Sequence, residues 1–182
     1  PFIGMFGACS TFVESMCMGA IAIESFAQNV ICATSSHFCS AEKQFRFPLE
    51  LGNQRPQTSQ WTVTGSGATL LSKDGTGPFI TNITLGKIVD MGIKDANNMG
   101  AAMAPAFVDT LLAHFLDTGR NPSYYDAIIS GDLGKIGKDI AIDIAMSKGY
   151  NIKSNYNDCG LMIFDTKAQD THAGGSGCAC CG

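Results

Sequence analysis

The segment from Thr11 to Phe26 constrains the fold more than any other part of this sequence. Its apolar residues leave almost no polar face, and Glu14 and Glu24 are the main exceptions. A helix that is apolar nearly all round is buried on several sides, so we expect this helix to lie between two sheets. The next segment, Gln28 to Thr34, has the composition of a short, fully buried parallel strand.

Cys9 stands at the turn that leads into this helix. An apolar run precedes it, and the sequence Gly-Ala-Cys-Ser opens directly into the helical pattern. A strand that passes through small residues into a helix can hold a nucleophile on a sharp corner, and the helix N-terminus favours thiolate over thiol. Free cysteine is also among the most buried residue types, so Cys9 is equally suited to filling a crowded turn. The motif alone leaves both interpretations open.

The composition narrows the classes of function. Of 182 residues, 45% are hydrophobic and 15% are charged, which is typical of a globular protein with one good core. The formal net charge is −4 without any run of like charges, so the sequence lacks the electrostatic footprint of a nucleic-acid-binding protein. No stretch approaches the roughly 20 consecutive apolar residues of a membrane span. A small acidic ligand would need a local group of basic residues.

The eight cysteines suggest neither a disulfide framework nor a metal site. Cys17 and Cys32 lie in apolar segments, where thiols act as small hydrophobic groups, and we expect a reducing compartment. Three more cysteines, at positions 178, 180 and 181, follow His172 near the end of the sequence. They contain no Cys-x-x-Cys pair, and adjacent cysteines seldom both reach one tetrahedral zinc. The sequence therefore predicts no metal ligands.

The other periodic segments alternate between strands and helices. Strands are predicted at Trp61 to Ser72, Ile80 to Val89, Tyr125 to Gly131 and Leu161 to Phe164. Helices are predicted at Met99 to Thr118, ended by Gly119, and around Ile140 to Ala145. This alternation predicts an α/β fold with a largely parallel sheet. Both ends of the sequence fall inside expected elements, which predicts an internal fragment of a longer protein.

An irregular excursion from Ser35 to Val63 interrupts this alternation. Long irregular segments inside compact domains are usually functional. This one carries basic and aromatic side chains together, namely Lys43, Arg46, Arg55, Phe45, Phe47 and Trp61. A subunit interface or a solvated loop would have the same composition, and the sequence does not decide between these interpretations.

Several long strings of residues resemble one family. The Gly-Ala-Cys-Ser turn, a Gly-Asp-Leu-Gly turn after a strand and His-Ala-Gly-Gly-Ser-Gly near the end are similar to the thiolase and ketosynthase superfamily. A narrower match covers essentially the whole chain, and its strings resemble the stage V sporulation protein AD family. These strings begin at Ala33 (Ala-Thr-Ser-Ser-His-Phe-Cys-Ser-Ala-Glu-Lys-Gln-Phe-Arg-Phe-Pro), Gln60 (Gln-Trp-Thr-Val-Thr-Gly), Gly92 (Gly-Ile-Lys-Asp-Ala-Asn-Asn-Met-Gly) and His172 (His-Ala-Gly-Gly-Ser-Gly-Cys).

The resemblance implies a thiolase-like fold in a layered αβαβα arrangement, present here as an incomplete fragment. Residues 1–88 would form the C-terminal part of the first thiolase-like half, and residues 89–182 the N-terminal part of the second. The family implies a spore protein that binds dipicolinic acid, free or as its calcium chelate, and serves the SpoVA membrane proteins that move calcium dipicolinate. It also implies a homodimer without a cofactor, cytoplasmic in the developing spore and peripheral at the spore inner membrane.

The resemblance also implies roles for single residues. Cys9 falls on the nucleophile position of thiolases and ketosynthases, and His172 on the histidine of their glycine-rich motif. Asp132 replaces a histidine of ketosynthases, and a carboxylate beside a thiolate would repel charge, which weakens the case for an enzyme. For the carboxylates of dipicolinate the candidate ligands are His37, Lys43, Arg46, Arg55 and Lys94. The alternatives are an active acyltransferase that uses Cys9, and a docking subunit that binds no ligand.

Overall fold

The computed structural model describes residues 1–37 and 55–177. Its helices are α1 (Thr11–Ser25), α2 (Met99–Thr118), α3 (Gly134–Ser147) and α4 (Cys159–Met162). Its strands are β1 (Asn29–Ser36), β2 (Trp61–Thr62), β3 (Gly65–Ser72), β4 (Ile128–Ser130), β5 (Tyr156–Asp158) and β6 (Gly175–Ser176). Two 3-10 turns, Ala8–Ser10 and Pro122–Tyr124, precede α1 and β4. The predicted α/β class is confirmed.

The N-terminal part is a helix packed on a two-stranded sheet. β1 pairs with β3 in antiparallel register along its whole length. α1 covers one face of this pair, where the thiol of the buried Cys32 donates to the Ser15 carbonyl at 3.2 Å. A Cβ built on Gly19 would lie 2.9 Å from the Cys32 sulfur, so a glycine is required for the helix to approach the sheet this closely.

Two expectations about this part are wrong. Residues Gln28 to Thr34 do not form a buried parallel strand, because β1 is antiparallel to β3 and its exposure alternates along the strand. Among the described residues α1 is not enclosed on several sides, since Val13, Met18 and Ile21 are each about half exposed. Apolar composition predicts burial all round, but the described residues cover these two elements mainly on the face between helix and sheet.

The main hydrophobic core lies between α2 and α3. α2 begins after Asn98, whose side chain accepts a hydrogen bond from the Ala101 amide at 3.2 Å, and it ends, as predicted, at Gly119 with a left-handed φ of 65°. The core is formed by Ala104, Val108, Phe115, Ile128, Leu133, Ala141, Ala145, Ile152 and Tyr156. This cluster fixes the positions of β4 and β5, whose carboxyl ends carry the candidate site.

The two core helices touch at a pair of glycines. A Cβ built on Gly100 of α2 would lie 3.0 Å from the Cα of Gly137 in α3, and it would overlap the Leu133 carbonyl oxygen. A Cβ on Gly137 would in turn lie 2.8 Å from the Cα of Gly100. The backbones are therefore in direct contact, and this contact sets the distance between the helices.

α3 connects two parallel strands, β4 and β5. A second parallel pair, β2 and β6, joins segments that are far apart in the sequence. Ile128 of β4 lies opposite Tyr156 of β5, and Trp61 of β2 lies opposite Gly175 of β6. Among the described residues, two of the three strand pairs are thus parallel, as expected, while the pair β1–β3 is antiparallel. The proposed division at residue 88 stays a prediction.

Two further strand predictions are wrong. Residues Ile80 to Val89 form no strand, because within the described residues no neighbouring strand pairs with them. The segment instead runs beside α2, where Thr84 Oγ1 lies 2.7 Å from His114 Nδ1. Residues Leu161 to Phe164 also form no strand, since Leu161 belongs to α4. The strand in this region is β5, which ends at Asp158, a residue whose side chain also caps α4 by accepting from the Gly160 amide.

One helix of the described chain, α2, is long and apolar enough to cross a membrane, judged by length and composition alone. Its mean hydropathy over 18 residues is 1.4. Core helices of soluble proteins pass the same test, and α2 packs against α3 through the core described above.

Candidate functional site

The turn after β4 carries Asp132 and is held by a buried carboxylate from the next strand. Asp158 is fully buried, and its Oδ2 accepts from the Ser130 hydroxyl at 2.6 Å and the Leu133 amide at 2.8 Å. Its Oδ1 accepts from the Gly134 amide at 2.9 Å and from a further amide at 3.0 Å. Both aspartates stand at the carboxyl ends of parallel strands, which is where α/β folds place their sites.

His172 lies in the turn 170–174 that precedes β6, and oxygen atoms surround its ring. Nδ1 donates to the Pro56 carbonyl at 2.9 Å, and the Ser59 hydroxyl is 3.2 Å from the same nitrogen. Nε2 lies 3.0 Å from Oδ1 of Asp170. Because a carbonyl oxygen can only accept, Nδ1 carries a proton and does not act as a base toward Ser59. The Ser-His-Asp arrangement therefore resembles a serine triad in composition only.

Gln60 joins the two turns. Its buried side-chain nitrogen donates to the Asp132 carbonyl at 2.7 Å and to the Gly175 carbonyl at 2.8 Å. Gly134, which has a φ of 65°, sits so close to the second turn that a Cβ on it would lie 2.5 Å from the Ala173 oxygen. Segments 55–61, 131–135 and 170–177 thus pack as one unit, which we call the three-segment site.

Arg55 brings a cation to this unit. Its guanidinium carbon lies 4.6 Å from the centre of the Trp61 ring, and its Nη2 donates to the Asp170 carbonyl at 3.1 Å. The side chain is only 13% exposed. Its Nη1 is buried and has no hydrogen-bond partner among the described residues, although a buried guanidinium N–H normally has one. The site therefore presents an unused donor beside an aromatic face.

The backbone is strained at three places that the sequence singled out. Among the described residues, the non-glycine residues with positive φ are Ala8 at 50°, Asp132 at 61° and His172 at 50°. A left-handed backbone costs a non-glycine residue of the order of 1–3 kcal/mol, and such residues cluster at functional sites. Ala8 immediately precedes Cys9. The strain therefore lies at two positions for which the family resemblance implied a site, Asp132 and His172, and directly before the third, Cys9.

The cysteines near these positions have different surroundings. Cys9 is half-buried in the 3-10 turn that leads into α1. Cys159, at the start of α4, is close to Asp132, and burial raises the pKa of its thiol to about 11, with the carboxylates of Asp132 and Asp158 adding to the rise. A thiol with this pKa stays protonated at neutral pH and is a poor nucleophile. Of these two thiols, Cys159 is the one whose surroundings argue against covalent chemistry.

Comparison with known proteins identifies the family of this chain. The profile described as stage V sporulation protein AD (SpoVAD) matches residues 1–182. The chain belongs to this family. It is 47% identical to the stage V sporulation protein AD of Bacillus subtilis (strain 168) over 181 residues. That match covers 99% of this chain and 53% of the Bacillus protein, so this SpoVAD-family chain spans about half the length of its curated relative.

In this SpoVAD-family chain the structure brings some of the predicted site residues together. Arg55 and His172 share Asp170 as a neighbour, and Gln60 links their segments to Asp132. His37 directly follows Ser36, whose hydroxyl donates to the Gly177 carbonyl at 3.1 Å, so the end of β1 reaches the same unit. The pairing of Cys9 with His172 stays a prediction.

The other predicted ligands lie elsewhere. Lys94 is exposed in the segment that leads to α2, and the described structure records no contact between it and Arg55 or His172. Lys43 and Arg46 lie outside the described residues, as do Phe45 and Phe47 of the predicted aromatic wall. Among the described residues, no group of three or more His, Cys, Asp or Glu side chains could hold a metal ion.

Sequence reasoning missed three residues of the site. They are Gln60, Asp158 and Asp170, to which neither the motifs nor the family resemblance assigns a role. Asp158 could have been found, because Asn-Asp-Cys-Gly is a turn signal. Gln60 and Asp170 have no such signal, because the contacts of Gln60 with Gly175 and of Asp170 with Arg55 each span 115 residues of sequence.

Proposed function

We propose that this chain is part of a sporulation protein that binds dipicolinic acid at the three-segment site. The observation that carries the proposal is the stacking of Arg55 on Trp61 beside His172, in a member of a sporulation protein family. Dipicolinate is a flat pyridine ring with two carboxylates. It therefore calls for cationic or N–H donors and an aromatic or apolar wall in one place.

The local chemistry supports an anionic ligand. The Nη1 group of Arg55 offers buried N–H donors that no described residue uses. A charged hydrogen bond to a carboxylate is worth about 1.5–3 kcal/mol, roughly twice a neutral one, and planar guanidinium can contact a carboxylate through two parallel bonds. Trp61 holds the guanidinium in place by a cation–π contact, which lowers the entropy lost when the ligand binds.

The wider role belongs to the same proposal. We infer that the full-length protein serves the SpoVA membrane proteins in the movement of calcium dipicolinate. It would act as a homodimer, on the cytoplasmic side of the developing spore and peripherally at the spore inner membrane. The family name supports the link to sporulation.

Replacing Arg55 with lysine in the full-length protein is expected to weaken dipicolinate binding about tenfold. Lysine keeps the charge but loses the planar pair of donors and the stacking on Trp61. Isothermal titration calorimetry gives the dissociation constant. The matched control is Arg120→Lys, because Arg120 stacks on Tyr124 at 4.5 Å in a different part of the fold and should leave binding unchanged.

Two outcomes of that titration would contradict the proposal in different ways. Equal affinity of the Arg55→Lys variant and the parent protein would remove Arg55 from the ligand site. If the parent protein shows no saturable binding at millimolar dipicolinate, the binding function fails and a docking subunit without a ligand remains.

An acyltransferase is the second candidate, and the strained turn at Ala8 and Cys9 favours it. Its nucleophile would be Cys9, activated at the head of α1. If the candidate is correct, incubation of the full-length protein with short acyl-CoA donors gives a mass increase equal to one acyl group. That increase would map to Cys9 and disappear in Cys9→Ala. We expect no adduct, because Asp132 stands where ketosynthases carry a histidine and a carboxylate cannot stabilise an oxyanion.

A further inference from the structure

We propose that Asp170 is an internal competitor for the anion position of the three-segment site, and that its carboxylate leaves when a ligand carboxylate binds. The inference rests on the proposed function, because it concerns how the same site is occupied and released. Neither the sequence motifs nor the family match assigns a role to Asp170.

The geometry places one carboxylate against both basic side chains of the site. Oδ1 of Asp170 lies 3.0 Å from Nε2 of His172, and Oδ2 lies 4.0 Å from Nη2 of Arg55. Arg55 and His172 are 13% and 11% exposed, whereas Asp170 is 81% exposed. The exposed carboxylate of Asp170 thus lies against two nearly buried basic side chains, in the position that a soluble anion would take.

The basic side chains keep their positions without the Asp170 carboxylate. Arg55 donates to the main-chain carbonyl of Asp170 at 3.1 Å and stacks on Trp61. His172 is fixed through Nδ1, which donates to the Pro56 carbonyl. Rotation of the Asp170 side chain into water would therefore vacate the anion position and leave the donors pre-organised for a ligand.

The competition is weak enough for a ligand to win. Ion pairs with a solvent-exposed partner contribute little, because water screens them and the side chain loses rotational freedom. Removal of the competing charge should strengthen binding by about twofold to fivefold, the range that corresponds to such pairs. Asp170 thus lowers the affinity of the site by a small factor and makes ligand release easier.

The test compares dipicolinate affinity in the full-length parent protein, in Asp170→Asn and in Asp126→Asn, by calorimetry with EGTA present to exclude the calcium chelate. Asp126→Asn removes the same charge from an exposed carboxylate four positions before Ser130, at the other end of β4 from the site. We expect Asp170→Asn to bind about twofold to fivefold more tightly than the parent, and Asp126→Asn to bind like the parent.

Each result decides the inference. Tighter binding in Asp170→Asn, with Asp126→Asn binding like the parent, supports it. Equal affinity in the parent and Asp170→Asn overturns it while the proposed function stands, and weaker binding in Asp170→Asn also overturns it, because Asp170 would then assist the ligand. Absence of binding in both proteins overturns the proposed function and the inference together.

Discussion

Replacement of Asp158 with alanine is expected to lower the free energy of unfolding by about 4 kcal/mol. The carboxylate accepts hydrogen bonds from three buried backbone amides and from the Ser130 hydroxyl. Each buried donor that loses its acceptor costs about 1–3 kcal/mol, and Ser130 retains Tyr156 as a partner at 2.8 Å. The loss should also loosen the Asp132 turn, because Leu133 and Gly134 are two of the amides concerned.

Urea unfolding of the full-length protein measures this change through the transition midpoint at constant slope. Asp126→Ala is the control, since it removes an exposed carboxylate and should shift stability by less than about 0.5 kcal/mol. A loss below about 1 kcal/mol in Asp158→Ala would mean that water or a neighbouring side chain replaces the carboxylate. Asp158 would then not be the residue that holds the Asp132 turn in place.

Replacement of Gly100 with alanine should destabilise the protein by about 2 kcal/mol, although alanine is the better helix former. Helix propensity alone predicts a gain of about 1 kcal/mol. The added Cβ, however, would overlap the Leu133 carbonyl oxygen and lie 2.8 Å from the Gly137 amide nitrogen. These neighbours are backbone atoms, so they can make room for the Cβ only if α2 and α3 move apart. We expect the free-energy cost of this separation to exceed the gain from helix propensity.

Thermal unfolding distinguishes the two effects by sign. The midpoint should fall in Gly100→Ala and remain near the parent value in Gly77→Ala, where a Cβ meets nothing within 4 Å. If Gly100→Ala raises the midpoint, then the helices can separate at little cost and propensity dominates. In that case Gly137→Ala, which makes the reciprocal contact, should be tolerated as well.

The long helices were the part of the fold that the sequence predicted best. α2 has a capping asparagine, a clear apolar face and a terminal glycine, and its predicted bounds are those observed. The strands were predicted less well, because a strand depends on a distant neighbour for its hydrogen bonds. Residues Ile80 to Val89 have a strand-like composition but no such neighbour among the described residues, and β1 pairs antiparallel where a parallel strand was expected.

The sequence predicted individual residues of the candidate site but not the contacts between them. The residue type of Arg55, beside aromatic residues, makes it a candidate ligand, whereas the roles of Asp132 and His172 are implied by the family resemblance. Gln60 connects their segments in the structure. What the sequence could not give is the network between them. Asp170 is a common charged residue in a polar turn, and only the three-dimensional arrangement places it against Arg55 and His172.

The link through Gln60 has a thermodynamic consequence. Its side chain joins the Asp132 turn to Gly175 of β6, which follows Gln60 by 115 residues and belongs to the strand that pairs in parallel with β2. Any molecule held between these segments binds the folded chain and not the unfolded one. At a hundred times its dissociation constant such a molecule would add about 2.7 kcal/mol to the free energy of unfolding by mass action alone. Ligand binding at the site and folding of the chain are therefore thermodynamically linked.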